Sequence, residues 1–255
     1  MLSKTNVEYL TMAWPIVTGC KNWETGICGG GGKEFYCWAK RITERFPDKY
    51  PNGFAPTFHS ERILEPIYKK KPARIGVAFM GDAFGDWAPR EWVEAVLDTV
   101  ALCPQHTFIF LTKCPWNLRQ YNPWPKNCWV GASATGERQF LDALNGLALT
   151  EANVRFISIE PFLARIPGGH IESLPNCFNP NWLILGSATN PYRPPKKYWI
   201  EEIEDFAQQA GIPVFEKNNL AKLLQRPLRQ EYPITFTPER RDGPTKGGIT
   251  HDISY

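Results

Sequence analysis

Three cysteines, Cys20, Cys28 and Cys37, fall within one stretch of eighteen residues that also holds four consecutive glycines, Gly29 to Gly32. Thiolates gathered after a strand can hold a soft metal or three corners of an iron–sulfur cluster. Two alternatives stand beside this: a structural zinc site with His59 as fourth ligand, and unrelated thiols packing as small hydrophobes. The glycine run is not followed by Gly-Lys-Ser/Thr, so it reads as a hinge for the cysteines and not as a phosphate loop. Cys103, Cys114, Cys128 and Cys177 read as packing residues, with Cys114 alone placed near the other chemistry.

Further candidates stand where apolar runs end. They are Asp82 and Asp86, Thr112 and Lys113, Ser133 and Thr135, Glu160, Asn190, and Glu216 with Lys217. Asp82, Lys113, Glu160 and Lys217 are the groups suited to acid–base or charge-stabilising work. Their structural readings are helix N-caps for Asp82 and Asp86, ion pairing for the two lysines, and backbone satisfaction for Glu160. A cofactor-free hydrolase or lyase using Asp82, Glu160 and Lys217 would need none of the cysteines.

The elements that must position these residues show a rhythm. Apolar runs recur at Arg74 to Met80, His106 to Leu111, Cys128 to Ala132, Val154 to Ile159, Asn181 to Gly186 and Ile212 to Phe215. They are near-continuously apolar, as strands covered on both faces are. Between them lie helical stripes: Trp92, Val93, Val96, Leu97 and Val100; Phe140, Leu141, Leu144 and Leu147; Ile200, Ile203, Phe206 and Ala207. Strands alternating with helices predict a parallel sheet. With Ala13 to Val17 as the first strand, the pattern gives about seven strands and an α/β fold of the partial (β/α) barrel type. A doubly wound open sheet is the runner-up. Both place chemistry at the carboxyl ends of strands, where the candidates lie. The barrel is expected over residues 1–220, with 221–255 a C-terminal extension packed on it or trailing from it. Residues 47–72, rich in proline, read as an irregular excursion with a short helix from Ser60 to Lys71.

Composition bounds the rest. The 255 residues are 43% hydrophobic and 22% charged, enough for one large domain with a full core or two small domains. No apolar run approaches the roughly 20 residues of a membrane helix. The first residues lack the apolar core of a signal peptide, which predicts a cytoplasmic protein. An odd count of seven cysteines argues against a disulfide framework. The net charge of +3 permits an anionic substrate without demanding one.

Several phrases resemble a known family. Trp14-Pro15-Ile16-Val17-Thr18-Gly19-Cys20, Cys37-Trp38-Ala39-Lys40-Arg41, Phe54 to Arg62, Met80 to Trp87, Leu111-Thr112-Lys113, Ser158-Ile159-Glu160-Pro161 and Phe215-Glu216-Lys217 look like the phage Gp37/Gp68-type proteins, the DUF5131 family. Members of that family look like radical S-adenosylmethionine (SAM) proteins. The resemblance implies a [4Fe-4S] cluster on Cys20, Cys28 and Cys37, SAM bound at its open iron, and an electron donor as partner. It implies Trp38 near the adenine, and Ser133, Thr135, Ser158 and Glu160 near the ribose and methionyl groups. Asp82, Asp86, Lys113 and Lys217 would face SAM or substrate. The family's phage association hints at a nucleic acid or nucleotide substrate. Seven residues separate Cys20 from Cys28 and eight separate Cys28 from Cys37, wider than is usual for such clusters.

Overall fold

The computed structural model describes residues 1–28, 35–167 and 178–233. The glycine run, His170 and Cys177 lie outside the described residues, as does the chain beyond 233. In chain order the strands are β1 (Ser3–Lys4), β2 (Met12–Trp14), β3 (Val17–Thr18), β4 (Thr57–Phe58), β5 (Arg74–Val77), β6 (Thr107–Thr112), β7 (Cys128–Ala134), β8 (Val154–Ile159), β9 (Trp182–Leu185), β10 (Ala188–Thr189), β11 (Tyr192–Arg193) and β12 (Val214–Glu216). One eight-stranded sheet runs in the order β1-β2-β5-β6-β7-β8-β9-β12. Every neighbouring pair from β2 onward is parallel, and β1 pairs antiparallel at the edge.

The sheet curls. Laid flat, β2 and β12 would stand six strand spacings, roughly 29 Å, apart. Yet the ring of Tyr9, just before β2, lies 5.8 Å from that of Phe215 in β12 and 5.5 Å from that of Trp182 in β9. The inner face holds Tyr9, Leu10, Ile109, Trp129, Val154, Phe156, Trp182, Ile184 and Phe215, with no helix residue among them. The outer face, including Ile75, Val77, Phe108, Phe110, Val130 and Leu183, packs under the helices Arg90–Ala101, Glu137–Ala148 and Lys197–Gln209. Alternate residues of one strand therefore serve two separate cores, which is why the strands read as continuously apolar. Among the described residues the helices cover one face only, which sets this apart from the doubly wound alternative. The expected partial (β/α) barrel is what forms.

Two readings need correcting. The first strand does not run unbroken to Val17. Pro15 has no N–H to give a ladder, so β2 stops at Trp14 and β3 turns aside to pair with β4, inside the stretch expected to be irregular. The helix expected from Ser60 to Lys71 is a 3-10 turn, Ser60–Arg62, followed by Glu65–Tyr68. Among the described residues no helix is long and apolar enough to cross a membrane.

Candidate functional site

Cys20 is seated by close backbone approach. Gly19 has φ +81°, and a Cβ there would stand 2.2 Å from the Ala55 carbonyl oxygen. Its N–H donates to the Met80 carbonyl (3.1 Å), and it bridges Gly81 beyond the carboxyl end of β5. Only glycine combines that φ with that proximity. The loop then folds around Asn22, which is buried. Asn22 donates its backbone N–H to Cys20 Sγ (3.3 Å) and its side-chain amide to Asp82 Oδ2 (2.8 Å). Its backbone carbonyl accepts the N–H of Cys28 (3.2 Å), and its amide oxygen accepts from the Cys114 thiol (3.6 Å). Ile27, next to Cys28, has its carbonyl held by Gln139 (2.7 Å) on the helix Glu137–Ala148. Gln139 also accepts from the Thr135 backbone N–H (2.7 Å) and hydroxyl (2.6 Å). Cys37 stands immediately before the helix Trp38–Arg45.

All three cysteines are thiols and half-buried. Burial first, then the Asp82 carboxylate, pushes the Cys20 thiol up, and Cys28 and Cys37 add to the same push. Cys20 and Cys28 are tied together through the backbone of Asn22. The three sulfurs do not close on one ion: among the described residues no three His, Cys, Asp or Glu side chains could hold a single metal. His59, the suggested fourth zinc ligand, instead bonds Thr18 Oγ1 through Nε2 (2.8 Å) and Glu61 through Nδ1 (3.2 Å). An iron–sulfur cubane takes one thiolate on each of three irons, so its ligands stand apart from one another. In donor type, number and redox state these residues suit it.

Along the inner face the lining changes from apolar to polar. β7 offers Trp129, Gly131 and Ser133; β8 offers Val154, Phe156 and Ser158; β9 leads from Trp182 and Ile184 to Gly186. The Phe156 ring lies across Gly131, where a Cβ would meet it at 2.4 Å. Above that floor Ser133 and Ser158 are register partners. Ser158 is fully buried, and its hydroxyl has no hydrogen-bond partner among the described residues. A buried hydroxyl without a partner carries a desolvation penalty that a polar ligand would relieve. This is the observation in favour of a polar occupant here.

The charged candidates separate into different kinds. Asp82 is buried and saturated: Asn22, the Thr112 hydroxyl (2.8 Å), and the backbone N–H groups of Phe84 (3.0 Å) and Lys113 (2.9 Å) all donate to it. It ties the Cys loop to the ends of β5 and β6. Asp86 accepts from Trp116 and Asn117 on the outer surface. Lys113 is half-buried, and among the described residues its ammonium has neither an ion pair nor a hydrogen bond. Lys217 donates to Glu160 Oε1 (2.5 Å) and pairs with Glu8 (3.6 Å). Burial works to lower the Lys217 pKa, but those two carboxylates outweigh it and leave it raised. Glu216, one residue earlier and on the opposite face, is buried against Arg226 (2.8 and 2.9 Å) and the Arg229 N–H (2.8 Å), which fastens the chain after β12 to the barrel's outside. Trp38 stands 51% exposed at the start of its helix. Asn22, Gln139, Glu8 and Tyr9 escaped the sequence reading. A polar residue two places after Cys20 was the only available signal for any of them.

Residues 4–225 match the family model described as a protein of unknown function, DUF5131. The chain belongs to that family. No curated protein matches it. Among solved structures it is similar to a tyrosine-to-phenylalanine mutant of spore photoproduct lyase, with a TM-score of 0.50 and 9% identity, over 85% of this chain and 78% of that one. It is also similar to spore photoproduct lyase complexed with dinucleoside spore photoproduct (TM-score 0.46, 9% identity, 82% of this chain and 64% of that one). A third match is a double mutant of the same lyase with bound AdoMet and dinucleoside spore photoproduct (TM-score 0.45, 10% identity, 85% and 58%). The chain thus spans less than two thirds of the length of either of these complexes. At such identities the likeness is one of fold.

Proposed function

We propose that this protein is a radical SAM-type enzyme in which Cys20, Cys28 and Cys37 hold a [4Fe-4S] cluster and the polar mouth of the barrel holds SAM. The observation that carries this reading is the set of three thiols on one braced loop, above the carboxyl ends of a parallel partial barrel. Such a cluster with SAM would supply radical chemistry, on one-electron reduction by a donor protein, for abstracting hydrogen from a substrate. The chain's own contribution is to hold and to shield. Asn22, Gln139 and Asp82 fix the thiol loop. Ser158 and Ser133 offer hydroxyls to the methionyl or ribose groups, with Thr135 and Glu160 beside them and Trp38 against the adenine. Lys113 offers its ammonium to a carboxylate or phosphate. The aromatic floor excludes water from below. We take the substrate to be a nucleic acid or nucleotide.

The test is reconstitution with iron and sulfide under anaerobic conditions, followed by reduction with SAM present. A brown protein that releases 5′-deoxyadenosine, and loses both properties in Cys20→Ala, Cys28→Ala and Cys37→Ala, is the expected result. Stoichiometric zinc without iron, in protein kept from oxygen, would overturn it. A cofactor-free hydrolase or lyase using Asp82, Glu160 and Lys217 is disfavoured by the four donors that occupy the Asp82 carboxylate and the ion pair that joins Lys217 to Glu160.

A further inference from the structure

Beside the Cys loop lies a surface of which the reading above uses Trp38 alone. The hairpin β10–β11 projects after β9, with Thr189 opposite Tyr192 and Asn190-Pro191 at its tip. The backbone N–H of Tyr36 donates to the Asn190 carbonyl (3.0 Å), so the segment leading to Cys37 lies against that tip. Three aromatic side chains are left open on these two segments: Tyr36 is 54% exposed, Trp38 51% and Tyr192 47%. Aromatic residues ordinarily bury most of their area.

The charge is one-sided. The chain as a whole is nearly balanced, with 29 Lys and Arg against 26 Asp and Glu. Residues 35–41 and 188–197 together hold five cations, Lys40, Arg41, Arg193, Lys196 and Lys197, and no carboxylate. Lys40 and Lys197 are each paired with a glutamate one helical turn on. Arg41 is exposed, and Lys196 is exposed with its ammonium over the rings of Tyr198 and Trp199. The balance of the two segments is therefore positive.

Resting on the functional reading above and narrowing its substrate, we propose that this surface binds single-stranded nucleic acid, with bases stacked on Tyr36 and Tyr192 and phosphates met by Arg41 and Lys196. Exposed rings interleaved with surface cations are the recurring composition of single-strand binders, because every base has a π-face and every linkage a charge. Such rings can stack only on bases that are not paired within a duplex. The surface adjoins the thiol loop, so a strand lying on it passes the mouth of the barrel.

The test uses the full-length reconstituted protein and a fluorescein-labelled twelve-nucleotide DNA of mixed sequence, single-stranded or annealed, read by anisotropy at two salt concentrations. Single strands should bind more tightly than duplex. Tyr192→Ala and Tyr36→Ala should each weaken single-strand binding about tenfold, with Tyr→Phe at either position restoring it. Arg41→Gln should lower the salt dependence by about one phosphate contact. Iron content and circular dichroism should be unchanged in every variant. Equal binding of duplex and single strand without effect of the tyrosines, or no oligonucleotide binding by protein that carries iron and cleaves SAM, would overturn the surface alone. Single-strand binding by protein that takes up no iron would overturn the cluster and leave the surface standing.

Discussion

At the scale of single residues, the rim charges are alike in sequence and unlike in place. Asp82→Ala would leave Asn22, Thr112 and two backbone N–H groups without their acceptor in a buried site. Each unsatisfied donor costs about 1–3 kcal/mol, so the four together should cost at least about 4 kcal/mol, seen as a lower urea midpoint. Lys113→Met removes no ion pair and should change stability by less than about 0.5 kcal/mol, while SAM binding, read by equilibrium dialysis, should weaken about tenfold. Ser158→Ala should leave stability unchanged or slightly raised, since the hydroxyl bonds to nothing among the described residues, and should also weaken SAM binding. A lysine binding chiefly to Glu160 and Glu8, as Lys217 does, should show the opposite pattern to Lys113: loss of stability first. The sequence could rank none of these, because the partners that decide a role come from distant segments: 30 and 60 positions away for Asp82, and from the other end of the chain, at Glu8, for Lys217.

At the scale of elements, the helix Glu137–Ala148 was legible from its apolar stripe, and Phe140, Leu144 and Leu147 are buried as the spacing requires. Its polar face was not legible. Gln139 on that face reaches across to Ile27 and braces the thiol loop from the end of β7. Gln139→Ala deletes one donor and one acceptor that serve three partners. The expected cost is about 1–2 kcal/mol, and the reconstituted variant should lose iron to a chelator faster than the parent. Retention equal to the parent would mean that the loop is held by Asn22 alone. The first strand shows the reverse case, a signal present but underweighted: Pro15 sat in plain view inside the run read as continuous, and its missing N–H is what divides β2 from β3.

At the scale of the whole molecule, the partial barrel was legible and the groups that make its seam were not. Each run of apolar residues pairs with the next run in sequence, so a reading that moves along the chain recovers the sheet. The seam is made by groups with no sequence neighbour in common: Glu8 with Lys217 and with the Asn218 N–H, Tyr9 with Phe215, and Arg74 over the Tyr232 ring. The pH dependence of stability belongs to this scale, because it sums groups spread over the fold. Burial lowers the pKa of His59 and His106, and Arg62 helps to lower that of His59 against the contrary pull of Glu61. A depressed histidine contributes stability that is present above its unfolded value of about 6.5 and lost as pH falls through its folded value. Burial raises the thiols of Cys114 and Cys128. A raised thiol contributes stability that is present below its unfolded value of about 8.5 and lost as pH rises beyond it. The apo protein should therefore be most stable between about pH 6.5 and 8.5, with thermal midpoints falling on either side. His59→Gln should flatten the acid limb, and Cys128→Ala should flatten the alkaline limb while lowering the plateau by the packing it removes. An acid limb unchanged in His59→Gln would assign that loss to His106 and leave the β3–β4 pairing, which holds Thr18 against His59, without a part in it.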